Sequence, residues 1–149
     1  MSAAHIRPEP DLIIHASCVA LEGRAVLIRG AAGRGKSALA LEMIHRRAEL
    51  VADDRTCLIR RTGAVIAYAP QAILGAIEAR FVGILQARIA PPSPIVLIVD
   101  LDHQETERLP QARSCDLLGQ ELPLLHGSAA PHFAAALMQY LSSGPWTPS

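Results

Sequence analysis

The stretch RGAAGRGKSALALEM, residues 29–43, decides the fold, and the decision turns on Lys36, the one lysine in a 149-residue chain that otherwise uses thirteen arginines. Gly30, Gly35, Lys36 and Ser37 meet the pattern GxxxxGK(S/T). The flanks supply the context that this pattern requires. AVLIR at 25–29 is a short β-rich apolar run bounded by Gly23 and Gly30, and KSALALEMIHRR at 36–47 carries strong helix formers with apolar residues at Leu39, Met43 and Ile44. The reading is strand, glycine loop, helix. From ordinary residue frequencies an accidental match in a chain of this size has odds of roughly 1 in 200. Glycines let successive backbone N–H groups turn inward toward phosphate oxygens, and the N-terminus of the following helix adds its partial positive charge. Residues Gly30, Ala31, Ala32, Gly33, Arg34, Gly35, Lys36, Ser37 and Ala38 are therefore expected to wrap a nucleotide's phosphates. An ammonium on a flexible stem is a compact point charge that fits between two phosphates, whereas a planar guanidinium is too wide for such a cradle. At this motif position Ser37 is expected to be a Mg²⁺ ligand.

The rest of the chain bounds the context. Its length suits one domain with a core that needs no disulfide. Half of the residues are hydrophobic and 3% aromatic, so the core is built from Ala, Val, Ile and Leu, the composition of strands buried between helices, which favours α/β. Fourteen acids balance fourteen bases without a long run of either sign, which argues against a nucleic-acid partner. The longest apolar run, IVLIV at 95–99, is too short to span a bilayer, and a soluble cytoplasmic protein is expected. Cys18, Cys57 and Cys115 are spaced too widely for a redox or zinc pair and read as reduced structural thiols; the six histidines lack metal-ligand spacing.

Further strands are expected at ELVADD (49–54), AVIAYA (64–69) and IVLIVDLD (95–102), a rigid turn at APPSP (90–94), and a closing helix over 132–141. The segment 70–89 gives mixed signals. Residues 1–10 and 142–149, rich in Pro, Ser and Gly, are expected to be flexible ends around a domain at 11–141. Two sets of acids compete for chemistry. Asp53 and Asp54 close one strand, and both reach a single site only if the strand ends there and the chain curls. Asp100 closes another apolar strand, as a Walker B aspartate does. Spacing alone leaves that choice open.

Taken together, residues 13–54, IIHASCVALEGRAVLIRGAAGRGKSALALEMIHRRAELVADD, resemble the catalytic domain of HPr kinase/phosphorylase, a bacterial enzyme that phosphorylates a serine of the phosphocarrier HPr and removes the phosphate by phosphorolysis. A histidine, a strand, a glycine loop with GKS, a helix and LVADD fall in the family's order. The resemblance implies a phosphoenolpyruvate-carboxykinase-like P-loop α/β fold, ATP and Mg²⁺, and HPr as partner. By it His15 is an active-site histidine, Lys36 the phosphate-binding lysine and Asp54 the catalytic aspartate that takes the serine's proton. EARFVGI at 78–84 is similar to the family signature, which makes Glu78 a second magnesium ligand beside Ser37 and Asp53 and keeps Arg80 and Gly83.

The resemblance covers residues 12–125, with departures. Ala32 replaces a loop serine, Phe81 replaces a signature glycine, and HGSAAPHF at 126–133 stands where relatives carry an arginine-bearing loop; no arginine follows Arg113. Arg80 is then the expected replacement cation. Full-length relatives are hexamers with a further N-terminal domain, so a homo-oligomer is expected. Two other functions stay open: a nucleotide-binding regulatory module without transferase activity, and a small-molecule kinase on the same scaffold.

Overall fold

A computed structural model describes residues 8–148; residues 1–7, most of the expected flexible start, and residue 149 lie outside the described residues. In chain order the elements are β1 (Leu12–Leu21), β2 (Arg24–Arg29), α1 (Lys36–His45), β3 (Glu49–Ala52), β4 (Arg55–Arg61), β5 (Ala64–Tyr68), β6 (Ala76–Ala79), β7 (Gly83–Gln86), β8 (Ser93–Gln104), β9 (Ser114–Leu117), β10 (Gln120–Gly127) and α2 (Phe133–Ser143), with a 3-10 turn at Gln71–Ile73.

AVLI at 25–28 is apolar without alternation because β2 is buried on both faces. Ala25 and Leu27 enter one core, with Leu58, Val65, Ala67 and Ile98. Val26 and Ile28 enter a second, with Leu39 and Met43 of α1 and Leu137 and Leu141 of α2. β2 runs parallel to β8, which runs parallel to β10. β1 is antiparallel to β2, β3 and β4, β4 to β5, and β5 to the start of β8. Because β8 pairs with both β5 and β2, strands β2, β1, β4, β5 and β8 close a ring around the first core. The expected α/β class is present, but the layer is a mixed sheet with only two α-helices among the described residues, both packed into the second core. The small aliphatic composition therefore fills a ring of strands as much as a strand–helix sandwich.

The β6–β7 hairpin is a separate two-stranded sheet, and β6 packs against α1 and β3 with Ile77 anchored in the helix-side core. This accounts for the mixed signals over 70–89. α2 continues through Ser143, where the N–H of Gly144 donates to Tyr140 O at 2.8 Å, and Arg24 Nε donates to Leu141 O at 2.7 Å, tying the helix end to β2. No helix among the described residues is long and apolar enough to cross a membrane.

Candidate functional site

The loop between β2 and α1 turns on three glycines with positive φ: Gly30 (151°), Gly33 (84°) and Gly35 (95°). At Gly30 space is short as well, since a Cβ there would lie 3.2 Å from Cβ of Leu101. Gly35 is the residue before α1, which has no side-chain cap, so the first amides of the helix keep their donors for a ligand. Lys36 Nζ curls back over the loop and donates to the carbonyls of Gly30 (2.7 Å) and Ala31 (3.2 Å). The ammonium is thus held at the centre of the cradle.

Asp53 and Asp54 part company. β3 ends at Ala52, and Asp54 takes φ 68°, so the chain curls as two converging acids require. Asp53 is buried, and its Oδ1 accepts hydrogen bonds from Ser17 and Ser37, both at 2.7 Å, while Oδ2 accepts the backbone N–H of Glu78 at 3.0 Å. One carboxylate therefore joins β1, the start of α1 and β6. Asp54 is exposed instead and faces an open cleft of about 850 Å³.

That cleft brings together His15 from β1, the loop residues Gly30, Ala31, Ala32, Gly33 and Gly35, Lys36, Ser37 and Ala38 from the start of α1, Asp54, and Glu78 and Arg80 from the β6–β7 hairpin. Two expected site residues stand outside its lining. Arg34 pairs with Asp102 Oδ1 at 3.4 Å, and Asp53 lies behind Ser37. Ser37, Asp53 and Glu78 offer oxygen donors only, the set that suits a hard cation held by one or two carboxylates together with substrate phosphates.

Asp100 is placed differently. Arg29 and Asp100 are register partners on β2 and β8, and the Asp100 carboxylate takes the N–H of Asp102 (2.9 Å), Nδ1 of His103 (3.3 Å) and the Arg29 guanidinium (3.6 Å). Partial burial pushes its pKa up, but these three partners together hold it below the usual carboxylate value. Asp100 does not line the cleft, whereas Asp54 does.

Five participants were missed in the sequence, two of them, Leu41 and Ala79, as plain apolar lining of the cleft. Ser17 holds Asp53; it lies two residues after His15 on β1, so the period of two was the available signal. Asp102 accepts the Ala31 N–H at 2.9 Å and thereby props the loop; it shares a strand face with Asp100 in VDLD. Val82 lines the cleft from the hairpin, and no sequence pattern marks it.

Comparison with known proteins places this arrangement. The HPr Serine kinase C-terminal domain matches over residues 9–123, most of the chain. The chain belongs to that family. Among HPr kinase/phosphorylases it is 30% identical over 160 aligned positions to the Limosilactobacillus reuteri protein, covering 90% of this chain and 50% of that one. It is 32% identical to the Exiguobacterium protein (78% and 42%) and 41% identical over 80 positions to the Bordetella pertussis protein (53% and 26%). The chain therefore spans half or less of the length of these relatives. The structure of the HPr(Ser) kinase/phosphatase from Coxiella burnetii superposes with a TM-score of 0.72 at 23% identity, over 89% of this chain and 88% of that one. The expected P-loop α/β fold of the HPr kinase family is thereby shown.

Proposed function

We propose that this chain is a Mg²⁺·ATP-dependent protein-serine kinase acting on HPr, with phosphorolysis of the phosphoserine by inorganic phosphate, which leaves as pyrophosphate, as its second reaction. The observation that carries this reading is the convergence, in one cleft, of a phosphate loop with its lysine and the exposed Asp54. Lys36 and the loop amides hold the nucleotide's phosphates and balance their charge. Ser37 and Glu78 would hold magnesium, with Asp53 behind Ser37 fixing its hydroxyl, and the ion would supply further neutralisation of phosphate charge. Asp54 orients the acceptor serine and accepts its proton as the seryl oxygen bonds to the γ-phosphorus and the bond to the ADP oxygen breaks; in phosphorolysis an oxygen of inorganic phosphate bonds to the phosphorus of phosphoserine, the seryl oxygen–phosphorus bond breaks to release pyrophosphate, and Asp54 returns a proton to the seryl oxygen. His15, which also lines the cleft, would hydrogen-bond a phosphate oxygen or the acceptor. Arg80 is the arginine of the cleft and would stabilise charge on the transferred group.

Labelled ATP incubated with the chain and the HPr of its own bacterium tests this. Label on an HPr serine is expected. Nucleotide binding without label on HPr would instead support a regulatory module, and label confined to small metabolites would support a small-molecule kinase.

A further inference from the structure

The β6–β7 hairpin carries two unfavourable features at its tip. Val82 N–H donates to Ala79 O at 3.0 Å, closing a β-turn in which Phe81 occupies the third position at φ 72°. Turns with positive φ there favour glycine, and a bulky aromatic in that conformation is strained. The same ring is 99% exposed, so no packing within the chain offsets the strain. Val82, 73% exposed, and Ile84, 69% exposed, repeat the pattern, whereas Leu85 shares the face of its register partner Ile77, which with Ala79 anchors the stem in the core. The patch adjoins the cleft directly, because Arg80 and Val82 on either side of Phe81 both line it.

From this we infer that the hairpin tip, with Phe81 as anchor, is the docking surface for the acceptor protein, receiving apolar side chains that border its phosphorylatable serine. The inference rests on the kinase reading above. One aromatic and two aliphatic side chains, Phe81, Val82 and Ile84, make a patch on the order of 400 Å². A stable protein interface needs about 800 Å² from each partner, so the patch suits a transient substrate encounter better than a standing contact with a second copy of this chain. A permanent partner at this position would also cover the mouth of the cleft.

Phe81→Gly is the informative variant, since glycine adopts the turn without strain and the ring lies outside the cleft lining. With the full chain, labelled ATP and HPr, it should raise KM for HPr about tenfold, leave nucleotide affinity and kcat within about twofold, and keep or raise the melting temperature; Phe81→Leu should recover most of the KM. An unchanged KM in Phe81→Gly while the parent labels HPr would overturn the docking surface and leave the kinase reading standing. No label on HPr from the parent would overturn both. Lost nucleotide affinity would assign the ring to the nucleotide, a fall in melting temperature alongside the KM rise would assign it to folding, and a self-association abolished in Phe81→Gly with KM unchanged would assign it to a second copy; each of these overturns the inference.

Discussion

Lys36 carries the clearest consequence at the scale of single residues. Its Nζ is held by two loop carbonyls at the centre of the cradle, so Lys36→Ala should lower ATP affinity roughly tenfold to a hundredfold, the usual worth of a charge-assisted contact. Lys36→Arg should restore little, because the guanidinium is too wide for that position; equilibrium binding of a fluorescent nucleotide measures both. Asp54→Asn keeps the shape and deletes the proton acceptor, so it should retain ATP affinity and lose transfer by about 10²–10⁴-fold, the range of general-base catalysis. Asp100→Asn should leave transfer nearly intact, since that carboxylate serves Arg29 and His103 outside the cleft. Single-turnover transfer from labelled ATP separates the two, and the opposite pattern would move the catalytic role to Asp100. Asp100 should show itself in stability instead. Its pKa is lowered on folding, so its contribution is present above the ordinary carboxylate value of about 4 and is lost as pH falls through the folded-state value. Thermal melts of parent and Asp100→Asn should therefore differ at pH 7 and converge below about pH 4.

At the scale of elements, the strand–loop–helix unit was legible because every local signal agreed: a doubly buried run, glycines where φ is positive, and helix formers beginning at Lys36. Gly30→Ala tests the tightest point, where positive φ coincides with the approach of Leu101. It should cost about 1–3 kcal/mol by chemical denaturation. Strands β1, β4, β9 and β10 were not assigned from pattern, since what defines them is partnership with other strands, within the ring for β1 and β4 and beyond it on β8 for β10 and β9. The parting of Asp53 from Asp54 was foreseeable only as a condition, that the strand ends and the chain curls. The positive φ at Asp54 that meets it depends on β4 folding back onto β1. Asp102 escaped notice because Asp100 offered the familiar pattern two residues earlier, although strand geometry gives both the same face.

For the whole molecule, the distribution of arginines decides how fast the proposed transfer can run. Several arginines are already engaged: Arg29 with Asp100 and Cys115, Arg34 with Asp102, and Arg113 with Glu105. The stretch HGSAAPHF at 126–133, which the family resemblance aligns with an arginine-bearing loop, holds no arginine, which turns attention to the arginine in the cleft. Arg80 is the arginine lining the cleft among the described residues, and it stands on the hairpin, an element held to the rest of the fold mainly by Ile77, Ala79 and the Asp53–Glu78 contact. A cation on such a mount is less firmly positioned than one on the central sheet, and preorganisation is what makes a guanidinium effective on a developing charge. Transfer should accordingly be slower than in a full-length relative assayed under matched conditions, with ATP affinity comparable. Arg80→Ala should lower kcat by about 10³-fold, the lower end for arginines that act on transferred phosphoryl groups, and should leave nucleotide binding nearly unchanged. Specific activity should be independent of protein concentration. If it climbs with concentration and Arg80→Ala is harmless, the cation is supplied by a neighbouring subunit, and the single chain does not contain a complete site.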